Sequence, residues 1–270
     1  VAYKRDAWKR VQEFTYRACG VVLEDQRHYL LDGRLQRVAQ GLGFRTVDEF
    51  VRSACAPGAT NRLTEPLLDA ITTHETSFFR DPAFWNVLEQ QILPELVRSG
   101  RPLSIWSAAC ASGQEALSLA MLLHERWPSA FASARILATD VSAPTVARAR
   151  AGTYNVVEVN RGLVAERLFR HFDVVPGGFR PKAVLRERIV CMVHNLLGDA
   201  PYPTGFDLVL CRNVLIYFND ADRTKVIARL CRSVEPGHLG VGATEMVPAG
   251  RSLRSGWYAV EATAAERGDK

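Results

Sequence analysis

Apolar residues recur at helical spacing through the first part of the chain. Trp8, Val11, Phe14 and Ala18 make one stripe and Leu31, Leu35, Val38 and Leu42 a second, so each predicts a helix with one buried face. Thr46 followed by Glu49 makes a capping box ahead of Val47, Phe50, Val51 and Ala54 and starts a third helix. A fourth runs through Leu63, Leu67 and Ile71, after a loop marked by Pro57 and Gly58. Residues 1–72 are therefore expected to be all-helical.

From Leu103 the texture changes to short apolar runs separated by amphipathic stretches, the pattern of a mostly parallel sheet flanked by helices and hence of an α/β fold. Strands are expected at Leu103–Ala109, Arg135–Val141, Ile189–Asn195, Phe206–Asn213, Leu239–Glu245 and Trp257–Thr263, and helices at Gln114–Arg126, Ala143–Ala151 and Asp220–Val234. Ser142 is a good N-cap and Gly152 a good stop for the middle helix. Between Phe172 and Ile189, Val175-Pro-Gly-Gly-Phe179 reads as a turn joining short strands, a small antiparallel insertion.

Composition narrows the class. No apolar run approaches the roughly 20 residues needed to span a bilayer, and Val1–Arg10 is charged with no apolar segment behind it. The six cysteines are scattered, without a C-x-x-C pair, which reads as the reduced thiols of a cytoplasmic protein and not as a zinc site. A net charge of +5 and a pI near 9.0 suit an acidic partner, yet basic and acidic residues are interspersed, so nucleic-acid binding is not indicated. A monomer is expected.

Chemistry concentrates at expected strand ends. The first strand runs into Ser107-Ala-Ala-Cys-Ala-Ser-Gly-Gln-Glu115, where small residues let a ligand approach the backbone before a helix opens. With Gly113 its only glycine, the turn lacks the three-glycine dinucleotide fingerprint, which argues against a nicotinamide oxidoreductase. Ser112 and Glu115 read equally as a capping box. Asp140 ends the next strand, placed either to accept hydrogen bonds from vicinal ribose hydroxyls or to serve the following helix dipole. Arg212 and Asn213 end the strand expected at Phe206–Asn213 and face the same crevice, with Tyr217 four residues beyond Asn213; as a lone residue that tyrosine reads as an amphipathic core side chain. Asn195 has strand termination as its plain explanation. In Thr72-Thr-His-Glu-Thr-Ser-Phe-Phe-Arg80, the two phenylalanines read as anchors between domains, and Arg80 as a surface charge or a bidentate carboxylate ligand. Ala200-Pro-Tyr-Pro203 lacks the leading Asn or Asp of an amino-methyltransferase loop and precedes its strand, so a nucleic-acid methyltransferase is disfavoured.

Four segments, Thr72–Arg80, Ile105–Glu115, Ile136–Asp140 and Cys211–Phe218, stand in the order found in CheR methyltransferases, and the chain resembles that family over nearly its whole length. The resemblance implies a class I methyltransferase Rossmann-like sheet carrying a small antiparallel β insertion at about 172–189. It implies a helical receptor-docking domain over 1–72, a linker and helix over 73–98, and a cofactor-binding domain over 99–266. The activity implied is S-adenosylmethionine-dependent O-methylation of glutamates on bacterial chemoreceptors, the methyl-accepting chemotaxis proteins, with S-adenosylhomocysteine as product. Carried over by position, His74, Thr76, Arg80, Glu115, Asp140, Asn195, Leu196, Arg212 and Asn213 line the cofactor site, with Arg80 and Tyr217 nearest the transferred methyl. His74 stands where asparagine is usual and Gln114 where a second acid is common, so a cofactor-binding regulator of the same fold with impaired catalysis is the alternative. Arg27, Arg34 and Arg37, on or near the face opposite the Leu stripe of the second helix, read as a solvated face or, with the resemblance, as a receptor-docking one.

Overall fold

The computed structural model describes residues 5–234, 236–248 and 250–261, without the side chains of Arg5 and residues 27–31. Leu31, Arg27 and Thr263 of the expectations above thus fall outside the described residues or side chains. Four helices come first: α1 (Arg5–Cys19), α2 (His28–Gly41), α3 (Val47–Ala54) and α4 (Asn61–Ile71). Trp8, Val11, Phe14, Leu35, Phe50, Val51 and Leu67 bury their stripes in one shared cluster. Thr46 caps α3 by accepting from the Glu49 amide at 3.1 Å, but Glu49 turns to the Arg45 amide, so only half of the expected box forms.

An extended segment then leads to α5 (Pro82–Val87) and α6 (Leu93–Arg98), joined through a π turn at Leu88–Ile92. Pro94 explains that turn, because a proline lacks the N–H that a regular helix would use. The remaining elements are β1 (Ser104–Ala108), α7 (Gln114–Arg126), α8 (Pro128–Ser133), β2 (Arg135–Asp140), α9 (Ala143–Ala151), α10 (Val156–Asn160), α11 (Ala165–His171), β3 (Phe172–Val175), β4 (Gly178–Pro181), α12 (Ala183–Arg186), β5 (Ile189–Val193), β6 (Leu208–Cys211), α13 (Asp220–Ser233), β7 (Gly237–Val241), β8 (Arg251–Arg254) and β9 (Trp257–Val260).

Among the described residues a seven-stranded sheet runs β5-β2-β1-β6-β7-β9-β8, parallel from β5 to β7 and antiparallel beyond. Residues Ile105–Ala108 of β1 and all of β6 are buried on both faces, as a helix-covered parallel sheet requires. Their alternate side chains feed two clusters, Ile105, Leu208 and Leu210 on one face and Trp106, Val209 and Cys211 on the other. The chain steps outward from β1 to β2 and β5, then returns to β6 beside β1. This reversal opens a crevice at the carboxyl ends of β1 and β6, where α/β sheets bind ligands.

The expected insertion is a hairpin of β3 and β4 over residues 172–181; its second half is the helix α12, not strand. The strands expected to reach Asn213 and Glu245 end at Cys211 and Val241. Asn213 adopts a left-handed φ of 59°, and the Gly242 amide is taken by the Glu245 side chain, so both segments leave the ladder. Strand β8 was not foreseen, nor were α10 and α11.

Candidate active site

The turn from β1 into α7 is tightly wound. Ala109, Ala111 and Gly113 have φ of 59°, 49° and 93°, and L-residues hold such angles only where the surroundings impose them. The surroundings here are Asp140. Its Oδ2 accepts from the Ala111 amide at 2.9 Å and its Oδ1 from the Ser142 amide at 3.1 Å, so one carboxylate ties the ends of β1 and β2 together. Tyr154 closes the turn by donating to the Ser112 carbonyl at 2.7 Å. A Cβ on Gly113 would stand 3.2 Å from that of Ala149 and 3.3 Å from the Tyr154 hydroxyl.

The Ser112 and Glu115 capping box does not form. Gly113 caps α7 without a side-chain bond, and Ser112 Oγ donates to Gln114 Oε1 at 2.8 Å. Glu115 instead accepts from Ser107 Oγ at 2.7 Å and from Arg212 Nη1 at 3.2 Å. Arg212 is the hub of this wall. Its Nη2 donates to Asp81 Oδ2 at 2.6 Å and to the Arg80 carbonyl at 3.0 Å, and its guanidinium lies 4.0 Å over the Phe84 ring. Its Nε–H is buried with no acceptor among the described residues.

Arg80 sits between two strained neighbours, Phe79 with φ 47° and Asp81 with φ 61°. Its carbonyl is held by Trp85 Nε1 at 2.9 Å as well as by Arg212, while its own Nη1 reaches the Glu75 carbonyl at 3.3 Å. Behind it, Arg167 pairs with Glu125 at 2.8 Å and covers the Phe79 ring at 3.9 Å.

His74, Thr76, Arg80, Glu115, Asp140, Asn195, Leu196, Arg212, Asn213 and Tyr217 all line one cavity of about 170 Å³ at this crevice. The side chains of two of them, His74 and Asn195, also hold the helical part in place. His74 Nε2 lies 2.9 Å from Thr72 Oγ1 and 3.2 Å from Asp69 Oδ1. Asp69 also accepts from Ser142 Oγ at 2.5 Å and Thr145 Oγ1 at 3.0 Å, fastening α4 to the start of α9. Burial alone would raise the Asp69 pKa, but the bonds from His74, Ser142 and Thr145 outweigh it and bring it down to about 2. Asn195 donates to the Ala18 carbonyl at 2.8 Å and accepts from the Leu197 amide at 3.0 Å.

Sequence reasoning missed the contribution of the N-terminal helices to this cavity. Cys19, Val21, Leu23 and Arg34 line it, the Val22 amide donates to the Tyr217 carbonyl at 2.8 Å, and Arg34 donates to the Thr72 carbonyl at 3.2 Å. These contacts join residues far apart in sequence, 38 positions for Arg34 and Thr72 and far more for Val22 and Tyr217, and leave no local signature. Burial pushes the Cys19 thiol up to about 11 and that of Cys110 well above the ordinary thiol range, so neither supplies a thiolate nucleophile at neutral pH. Among the described residues no helix is long and apolar enough to cross a membrane and no side-chain cluster could hold a metal ion.

Residues 74–257 match the family model described as "CheR methyltransferase, SAM binding domain". The chain is 38% identical over 242 residues to chemotaxis protein methyltransferase 1 of Pseudomonas aeruginosa, covering 86% of this chain and 87% of that one. It is 35% identical over 246 residues to chemotaxis protein methyltransferase Cher2 of Pseudomonas putida, covering 88% and 89% respectively. A chemotaxis protein methyltransferase of Vibrio parahaemolyticus is likewise 35% identical over 243 residues, with 88% of both chains covered. The matched domain is one that binds S-adenosylmethionine, which identifies the cofactor. With that domain spanning most of its length, the chain belongs to the CheR methyltransferase family.

Proposed function

We propose that this protein transfers the methyl group of S-adenosylmethionine to glutamate carboxylates on the cytoplasmic helices of bacterial chemoreceptors. The observation that carries the reading is convergence. Ten residues spread from His74 to Tyr217 meet at one crevice, on the carboxyl ends of the strands where the topology reverses.

The donor set suits the cofactor. Asp140 uses two of roughly four lone-pair sites on the Ala111 and Ser142 amides, which leaves acceptors for two vicinal hydroxyls. Arg80, at the cavity wall, offers a guanidinium to the cofactor's carboxylate. Leu196, 7% exposed, gives the adenine an apolar wall. Bound here, the cofactor supplies a methyl group made electrophilic by its sulfonium.

The protein's share is alignment and exclusion of water. An unperturbed glutamate, with a pKa of about 4.3, is ionised at neutral pH, so no general base is required. Arg80 and Tyr217 orient the incoming carboxylate. Because Arg212 is already committed to Asp81 and Glu115, it holds the wall and does not quench the nucleophile, which over-tight ground-state binding would do.

The assignment divides the chain into a receptor-docking unit over 1–72, a linker and helix over 73–98, and a cofactor-binding domain over 99–266. Incubation with a receptor cytoplasmic fragment and S-adenosylmethionine, followed by peptide mass spectrometry, tests the substrate. Methyl esters confined to glutamates support the reading; methylation of lysine, arginine or nucleic acid instead would refute it.

A further inference from the structure

Glu245 has no part in the reading above, and its sequence marks it only as the expected end of a strand. It is 6% exposed and has no ion pair among the described residues. Backbone amides surround it instead. Oε2 accepts from Gly242 at 2.5 Å and from Asn213 at 3.2 Å, and Oε1 accepts from Ile216 at 3.3 Å. Two of these three donors belong to the loop after β6 that carries Asn213 and Tyr217.

The geometry is a nest, a set of N–H groups converging on an anion. Here the anion is the protein's own. Asn213 holds its left-handed φ of 59° at the rim, and glycine at 242 is what admits the carboxylate. A Cβ there would lie 2.7 Å from Glu245 Oε2 and 3.2 Å from both the Asn213 amide and its side-chain Nδ2.

Ionisation of Glu245 is not what stabilises this arrangement. Burial raises the Glu245 pKa more than the amide bonds lower it. With the folded pKa above the unfolded one, the folded state binds the proton more tightly, so ionised Glu245 costs stability above its unfolded pKa and not below it. What the carboxylate supplies is the shape of the loop, through the Asn213, Ile216 and Gly242 amides it accepts from.

We propose that Glu245 is the positioning residue of the methyl-transfer loop: an internal anion, seated in the amides of residues 213, 216 and 242, that fixes Asn213 and Tyr217 against the cofactor cleft. The proposal rests on the cofactor reading above. Glu245→Gln keeps the size but turns one oxygen into an NH2 that faces backbone donors, so half of the nest opens. Glu245→Asp keeps the charge but is one methylene too short to serve both sides.

Wild type, E245Q and E245D are compared by amide hydrogen exchange of the peptide 211–218, by calorimetric binding of S-adenosylmethionine and of adenosine, and by kcat on a receptor fragment. In both variants the loop amides are expected to exchange faster. Cofactor affinity falls, adenosine affinity, held from the Asp140 side, stays within about twofold, and kcat drops roughly 10- to 100-fold, the cost of displacing a reacting group by about 1 Å. Unchanged exchange and unchanged cofactor affinity in folded E245Q overturn the proposal, as does equal weakening of cofactor and adenosine. If E245Q does not fold, E245D decides by the same criteria. Loss of adenosine binding in Asp140→Ala tests the cofactor reading separately, and exchange and binding test Glu245 even if the receptor fragment proves not to be the acceptor.

Discussion

Arg212 gives the sharpest test of how the cleft wall is held. Its side chain is 4% exposed and faces Glu115, 13% exposed, at 3.2 Å and Asp81, 48% exposed, at 2.6 Å. Replacing it with Met fills much of the volume but leaves Glu115 without its cation. Removing one partner of a buried pair costs about 3–5 kcal/mol; the exposure of Asp81 discounts its share toward that of a surface pair, so about 3 kcal/mol is expected for Arg212→Met. At about 2–4 °C per kcal/mol for a chain of this size, the melting midpoint should fall by roughly 6–12 °C. Glu115→Gln added to Arg212→Met removes the stranded charge, and the double variant should recover about 1 kcal/mol or more relative to the sum of the singles. Differential scanning calorimetry of the four proteins measures this. Strict additivity, or a midpoint for Arg212→Met within about 2 °C of wild type, would refute the reasoning.

The remaining predictions concern the latch and the reaction centre. The depressed pKa of Asp69 means its ionised form stabilises the fold above the unfolded value of 3.8, a contribution lost as pH falls through about 2. Because Asp69 is 35% exposed, its worth is discounted to about 1 kcal/mol. Asp69→Asn should therefore be less stable to urea at pH 5, and the gap to wild type should close as the pH approaches 2; a gap that widens on acidification contradicts this. Tyr217→Phe should lower kcat about tenfold, the worth of one hydrogen bond made in the transition state, while calorimetric affinity for S-adenosylmethionine stays the same. Equal losses in kcat and cofactor affinity would place Tyr217 on the cofactor alone.

What the sequence made legible was whatever is encoded locally. The helices at 114–126 and 143–151 fall on their expected residues, because periodicity, the Ser142 cap and the Gly152 stop all act within one turn. The strand cores were equally clear from their apolar runs. Their ends were not, since Asn213 and Gly242 leave the ladder for a side chain, Glu245, that lies 32 and 3 residues away. The three-residue spacing of Ser112 and Glu115 suggested a capping box, but a buried guanidinium 97 residues further on claimed the glutamate. Asn195 carried no hint that it binds the Ala18 carbonyl, 177 residues distant. Motif resemblance brought the ten cleft residues together on paper, while the enclosing wall from Cys19 to Arg34 depends on tertiary packing that no local pattern records.

The central claim, methyl transfer to receptor glutamates from a cofactor held at Asp140, is tested most directly by one assay. Wild type and Asp140→Ala are incubated with methyl-labelled S-adenosylmethionine and a receptor cytoplasmic fragment, and the label released as methanol on mild base is counted. The account predicts base-labile label with wild type and loss of nearly all of it in the variant, which removes the carboxylate that shapes the Ala109–Gly113 turn. Base-stable label, or base-labile label undiminished in Asp140→Ala, would contradict it.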